Sequence, residues 1–219
     1  MHVKIERNIS EKFGDMHILC AEIVGVKVER KNAEIENFKG VVENEVRIKY
    51  ELPTLKAHPL IRAYRNFFWR AGIDPTKVRP ASEALIRRIL SGKRMPTINT
   101  LVDAYNLASV VSLIPMGAFD RDKLGQALHL RFAEEGEEFL GIGMKKPLTL
   151  RGNELVISDG GRLIAIYPYR DAETTKITPS TKNVALLVCG VPDVKFEELE
   201  NARKTAVQYI TRFCGGTEV

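Results

Sequence analysis

Apolar and polar positions along this chain follow a helical period in the first half and a strand-like one in the second. The most ordered block is Thr97–Asp120, TINTLVDAYNLASVVSLIPMGAFD. Ile98, Leu101, Val102, Tyr105 and Ala108 recur at helical steps, which predicts a helix with one buried face. Asn99, Asp103 and Asn106 fall at i, i+4 and i+7 and share a second face. Pro115, Gly117, Phe119 and Asp120 then predict a turn that sets a carboxylate near the helix end. Upstream, the aliphatic run in Asp15–Glu29 predicts a strand over Met16–Val28. Asn32–Lys49 reads as a charged helix with Ile35, Phe38, Val42 and Val46 on one face. Leu60–Arg70 reads as a second helix, with Pro59 at its start and Phe68 and Trp69 assigned to the core. Ser82 is placed to cap a third, with Ala84, Leu85, Ile89 and Leu90 buried and Gly92 as the stop. Downstream the pattern shortens. Leu128–Ala133 alternates, and LVIS and RLIAIYP flank Asp159-Gly160-Gly161 as a hairpin. The continuous apolar run Asn183–Val191 predicts a strand buried on both faces. Asp193 is placed to cap a closing helix carrying Phe196, Leu199, Ala202, Ala206, Tyr209, Ile210 and Phe213, ended by Gly215-Gly216. Helices first and mostly antiparallel strands later indicate an α+β fold with a mixed, mostly antiparallel sheet and flanking helices.

Composition narrows this only slightly. A chain of 219 residues with 44% hydrophobic content builds one large domain or two small ones. We divide it into an N-terminal strand and helix extension, 1–55, packed on a single domain, 56–219. No apolar run approaches the ~20 residues that span a membrane. MHVKIERNIS lacks an apolar signal-peptide centre, so a cytoplasmic location is expected. Three cysteines without a close pair, and four histidines without ligand spacing, argue against a disulfide scaffold or a metal site. A net charge of +5 permits a nucleic-acid partner without requiring one.

Candidate chemistry lies in four places. The stripe Asn99, Asp103, Asn106 holds short amides and a carboxylate rather than Lys and Glu. It is either a hydrogen-bonding surface or a cap with a solvated neighbour. Arg87, Arg88, Lys93 and Arg94 cluster at a helix end, either as a solvated basic face or as a phosphate-contacting patch. Glu134, Glu135, Glu137 and Glu138 form an acidic run of the kind that is usually solvated surface. Tyr169–Asn183 carries many hydroxyls with Arg170, Asp171, Lys176 and Lys182, a lining suited to a polar or anionic ligand. No phosphate-cradling glycine loop, nucleophile elbow or Cys/His pair is present.

The ordered residues Ile98, Asn99, Val102, Asp103, Asn106, then Pro115, Ala118, Phe119 and Asp120, resemble the B3/B4 editing module of the bacterial phenylalanyl-tRNA synthetase beta subunit. That family's pattern reads Ile-Asn-x-x-Val-Asp-x-x-Asn followed by Pro-x-His-Ala-Phe-Asp. Asp122-Lys123-Leu124, Leu155-Val156-Ile157 with Asp159, and Thr181 with Val184 continue the match, which spans Pro80–Val191. The resemblance implies a freestanding module that binds the acceptor end of a mischarged tRNA and hydrolyses its aminoacyl ester. It implies no metal and no cofactor, with water activated by oriented hydrogen bonds.

Three departures stand out. The family histidine is Gly117, a glycine-rich pocket turn is replaced by Ala165–Thr175, and the family glutamate that reads a tyrosine hydroxyl falls at about Leu187. The resemblance therefore does not carry tyrosine specificity with it. It points to a pocket of Asn99, Asp103, Asn106, Gly117, Phe119, Asp120, Tyr167, Tyr169, Arg170, Asp171, Thr178 and Thr181. Arg87, Arg88, Lys93, Arg94, Lys145 and Lys146 would meet RNA phosphates. A non-catalytic RNA-binding module and an amino-acid-binding protein are the alternatives on the same fold.

Overall fold

The computed structural model describes residues 1–125 and 127–219. In chain order its elements are β1 (Val3–Ile5), α1 (Arg7–Phe13), β2 (Ile18–Val24), α2 (Ala33–Lys49), α3 (Pro59–Arg70), α4 (Ala81–Leu90), α5 (Thr100–Ser112) and β3 (Met116–Asp120). They continue with β4 (Leu128–Phe132), β5 (Glu135–Phe139), β6 (Leu148–Arg151), β7 (Leu155–Asp159), β8 (Arg162–Ile166), β9 (Arg170–Asp171), β10 (Asn183–Cys189), α6 (Phe196–Cys214) and β11 (Thr217–Glu218). The fold is α+β. One sheet runs β1-β4-β7-β8-β9, a second β11-β2-β10-β3, and β5 and β6 pair alone. Among the described residues only β1 and β4 pair in parallel, with Val3 opposite Leu128; the other ladders are antiparallel.

β10 is the centre of the second sheet. Its run NVALLVC is buried beyond Asn183 because both edges and both faces are covered. β2 lies along one edge, from Asn183 opposite Val24 to Cys189 opposite Ile18. β3 lies along the other, from Val184 opposite Asp120 to Val188 opposite Met116. Residues 1–55 thus supply strands to both large sheets. The predicted turn at Pro115–Asp120 is instead a fully buried strand, because its backbone completes β10's ladder. The short β1 and α1 give no periodic signal of their own. They form because β1 adds to β4 and Ile9 and Phe13 enter the core.

The helices follow most of their apolar stripes, but Ile98, which precedes α5, and Phe196, at the start of α6, are exposed rather than buried, and three further expectations are corrected. Ser82 does not cap α4; Pro80 occupies the N-cap, and the Ser82 hydroxyl donates to the Leu113 carbonyl at 2.9 Å. α4 is accordingly rotated from the expected face, burying Ser82, Glu83, Ile86 and Ile89. Glu83 tolerates burial because Arg65 and Arg87 pair with it at 3.1 and 2.7 Å. Trp69 is not core. It is 56% exposed, while Phe68 beside it is fully buried. Asp193 does not cap α6: it has φ 71°, and the helix starts after Lys195, whose N–H donates to the Glu198 carboxylate at 2.9 Å. Among the described residues no helix is long and apolar enough to cross a membrane.

Candidate functional site

Where α5, β3, the end of β10 and the β8–β9 connection converge, they leave a cavity of about 160 Å3. Met116, Phe119, Ile157, Ala165, Ile166, Leu187 and Cys189 make apolar walls. Tyr105 and Asn106 enter from α5, Ala81 from the first turn of α4, Tyr167, Pro168 and Tyr169 from the connection, and Asp171 from β9. The volume is below the ~300–1,000 Å3 typical of pockets for drug-sized ligands. A volume of this order suits a ligand of amino-acid size.

The floor is fixed by buried hydroxyls. Tyr64 of α3 donates to the Cys189 carbonyl at 2.6 Å, and Tyr167 donates to the Gly190 carbonyl at 2.5 Å. Both bonds tie neighbouring elements to the end of β10, and burial pushes both phenols well above their usual range. The Tyr167 ring lines the cavity while its hydroxyl is committed elsewhere. Phe67 and Phe68 pack against Tyr167 and Tyr169, so α3 backs this wall.

Four polar side chains of the lining take no part in this hydrogen-bonded scaffold. Among the described residues Tyr105, Asn106, Tyr169 and Asp171 make no side-chain hydrogen bond to protein. Asp171 lies against β3 at Gly117, where a Cβ would sit 3.1 Å from both carboxylate oxygens. Glycine at 117 is therefore what leaves space for the acid. Burial pushes the Asp171 carboxyl up to about 7, with no neighbouring cation to offset it. Its charge in turn raises the Tyr105 phenol and the Cys189 thiol, for both of which burial is the larger cause. None of the lining residues is Arg, Lys or His.

The cavity thus gathers six of the sequence-derived candidates: Asn106, Gly117, Phe119, Tyr167, Tyr169 and Asp171. The rest lie outside it. Asn99 caps α5, accepting from the Val102 N–H at 2.9 Å. Asp103 is 1% exposed, accepting from Lys39 at 2.7 Å and from the Ile98 N–H at 3.0 Å. Asp120 accepts from the Thr181 hydroxyl at 2.9 Å, and the Thr178 N–H donates to that same hydroxyl at 3.0 Å. This second group latches β3 to the loop before β10. Arg170 is exposed and packs over Gly141 and Met144. The Ile142 N–H donates to the Asp171 carbonyl at 2.9 Å, so the turn carrying exposed Lys145 and Lys146 is held to β9.

Among the basic residues near α4, Arg87 is engaged by Glu83, while Arg88, Lys93 and Arg94 are exposed. They lie at the end of α4 opposite Ala81. From the sequence Tyr105 reads only as part of an apolar stripe. A tyrosine in such a stripe beside an asparagine is the signal that could have marked it, since a buried phenol needs a partner.

The model of the B3/4 domain family matches residues 63–215. The chain belongs to the B3/4 domain family. The phenylalanine–tRNA ligase beta subunit of Synechocystis sp. is 30% identical over 177 residues, covering 67% of this chain and 22% of that protein. Its counterpart from Fusobacterium nucleatum is 33% identical over 135 residues, covering 61% of this chain and 16% of that one. An N-terminal fragment of the phenylalanyl-tRNA synthetase beta subunit from Pyrococcus horikoshii superposes with TM-score 0.53 at 16% identity, covering 99% of this chain and 50% of the fragment. That superposition shows a shared fold. This B3/4 domain spans less than a quarter of the length of those two beta-subunit relatives.

Proposed function

We propose that this B3/4 domain binds the aminoacylated 3′ end of a tRNA and hydrolyses the ester of a mischarged amino acid. The observation that carries this reading is an amino-acid-sized cavity with apolar walls and four polar side chains unengaged by protein. Relatives named as phenylalanine–tRNA ligase beta subunits support the link to tRNA. In the reaction a water oxygen bonds to the ester carbonyl carbon, the bond from that carbon to the ribose oxygen breaks, and the ribose oxygen takes a proton. The lining holds no Ser, His or Lys, and burial keeps the Cys189 thiol protonated, so the nucleophile is water rather than a side chain. Catalysis then rests on placing the ester and polarising it, with Asn106 and Tyr105 as the orienting groups.

In this reading the terminal adenosine lies outside the cavity, the exposed Arg170, Lys145 and Lys146 meet phosphate at the 3′ end, and the exposed Arg88, Lys93 and Arg94 meet the acceptor stem. The deciding assay incubates the full chain with a panel of mischarged tRNAs; release no faster than the no-enzyme blank across the panel defeats the reading. A second reading, tRNA binding without cleavage, is favoured by Gly117 standing where the resembled pattern has histidine. It predicts retention that weakens steeply with salt and no ester release.

Gly117→Ala separates site from scaffold. The added methyl pushes the Asp171 carboxyl aside by a few tenths of an ångström. Stability should change by less than about 1 kcal/mol, because that carboxyl faces the cavity and bonds nothing. Deacylation should fall roughly tenfold, the scale of one misplaced interaction in a preorganised site. Paired melting and single-turnover measurements on the same sample check it.

A further inference from the structure

We infer that Asp171 is the docking point for a primary ammonium group, and that the cavity selects amino acids whose carboxyl is blocked. This rests on reading the cavity as an aminoacyl pocket. The first support is the placement of the acid. It lies against β3 at Gly117, lines the cavity with Tyr105 and Cys189, and is held there by β9 pairing with β8 and by the Ile142 N–H on its own carbonyl. Asp171 is half-buried, and a carboxylate drawn partly out of water with no protein cation beside it is destabilising. A ligand cation supplies the missing partner. An ammonium presents three N–H donors, and Asp171, Asn106 and Tyr105, which line one space, each carry an oxygen able to accept one.

The second support is what the cavity lacks. A free amino acid brings an α-carboxylate with its ammonium, and no Arg, Lys or His lines the space to receive it. Arg170, beside Asp171 in the chain, is exposed and turned toward the Ile142 carbonyl. Asp171 repels a second carboxylate at short range. An ester or amide removes that charge and keeps the ammonium. The same logic gives direction to a reaction cycle, since hydrolysis of an ester creates a carboxylate beside Asp171 and so weakens product binding. The walls, with Leu187 and Met116 among them, add that the side chain accepted is apolar.

The test is calorimetric binding to the full chain at pH 8, using the amides of alanine, serine, valine, leucine, phenylalanine and tyrosine. Free leucine and N-acetyl-leucinamide serve as the blocked counterparts. The expected result is binding of at least one apolar amino-acid amide, with free leucine and the N-acetyl compound each weaker by about tenfold or more. Asp171→Asn, which preserves shape, should lose a similar factor. The inference is overturned if no amide binds, if free leucine or N-acetyl-leucinamide binds as well as leucinamide, or if Asp171→Asn is without effect. Mischarged tRNA assayed with and without N-acetylation separates the two readings. Equal deacylation of both forms keeps the hydrolase and removes the ammonium site. Amide binding in the expected order, with no tRNA deacylated, keeps the site and removes the hydrolase.

Discussion

Asp103→Ala is expected to lower the unfolding free energy by about 3–5 kcal/mol, as removal of one partner of a buried ion pair does. Lys39 and Asp103 are each 1% exposed and 2.7 Å apart. Lys39 also donates to Glu36 at 2.6 Å, the Pro96 carbonyl at 3.0 Å and the Thr97 hydroxyl at 3.2 Å. Asp103 spends its other oxygen on the Ile98 N–H. The pair therefore joins α2 to the segment that starts α5. Burial raises the Asp103 carboxyl even though Lys39 and the Ile98 amide both lower it. Alanine leaves the Lys39 ammonium buried with weaker partners and the Ile98 amide with none. For a chain of this size the melting temperature should fall by roughly 6–20 °C. The double replacement Lys39→Met with Asp103→Leu should recover much of the loss, since an apolar pair of similar volume avoids desolvating two charges. Chemical denaturation of both variants checks this. A loss below about 1 kcal/mol for Asp103→Ala would mean that Glu36, Thr97 and Pro96 suffice to hold Lys39.

The second large effect runs the other way. Asp171→Asn should stabilise the protein at neutral and alkaline pH and do nothing near pH 4. The folded carboxyl sits at about 7 against an ordinary 3.8, so the native state holds its proton longer than the unfolded chain. Below pH 4 both states are protonated and the group contributes nothing. Between 4 and 7 the unfolded chain ionises first, and native stability declines as pH rises; above 7 the penalty is complete. A shift of that size corresponds to about 4 kcal/mol at most, and water entering the cavity brings the expected gain to about 1–4 kcal/mol. The groups facing Asp171 are Tyr105 from α5 and Cys189 from β10, both held neutral across this range. Melting curves of the two proteins from pH 4 to 8.5 should diverge steadily and then run parallel. Curves that stay parallel throughout would place the Asp171 carboxyl in ordinary solvent. A residue whose removal stabilises the fold is one that folding alone does not explain.

The main ladders were legible in the sequence because their signals are local. The β7–β8 hairpin follows from Gly160-Gly161 between apolar runs, and β10 from an unbroken aliphatic stretch. What was hidden depends on partners far along the chain. Asp103 reads as a helix-surface acid until Lys39 of α2 arrives to bury it. β3 reads as a turn, with Pro115 and Gly117, until β10 supplies its hydrogen bonds. Trp69 was assigned to the core by size alone, yet its helix turns Phe68 inward and leaves Trp69 outside. At the site, the divergent 165–175 stretch did mark the wall that carries Tyr167, Tyr169 and Asp171. The hydroxyl-rich look of Thr178 and Thr181 misled in the opposite direction. Short hydroxyls suit a ligand and suit a loop latch equally, and only Asp120 across the gap shows which use they serve.

Gly117 and Asp171 also constrain how this pocket can be rebuilt. Strand β3 has given up a side chain where a carboxylate from β9 now rests, so the two positions form one epistatic unit rather than two independent ones. Placing the histidine of the resembled pattern at 117 while Asp171 remains sets its Cβ 3.1 Å from both carboxylate oxygens, so the acid must give way. Removing the acid first opens the space and stabilises the scaffold that must absorb the larger side chain. A mutational path between the two pocket types therefore has a preferred order, with position 171 changing before position 117.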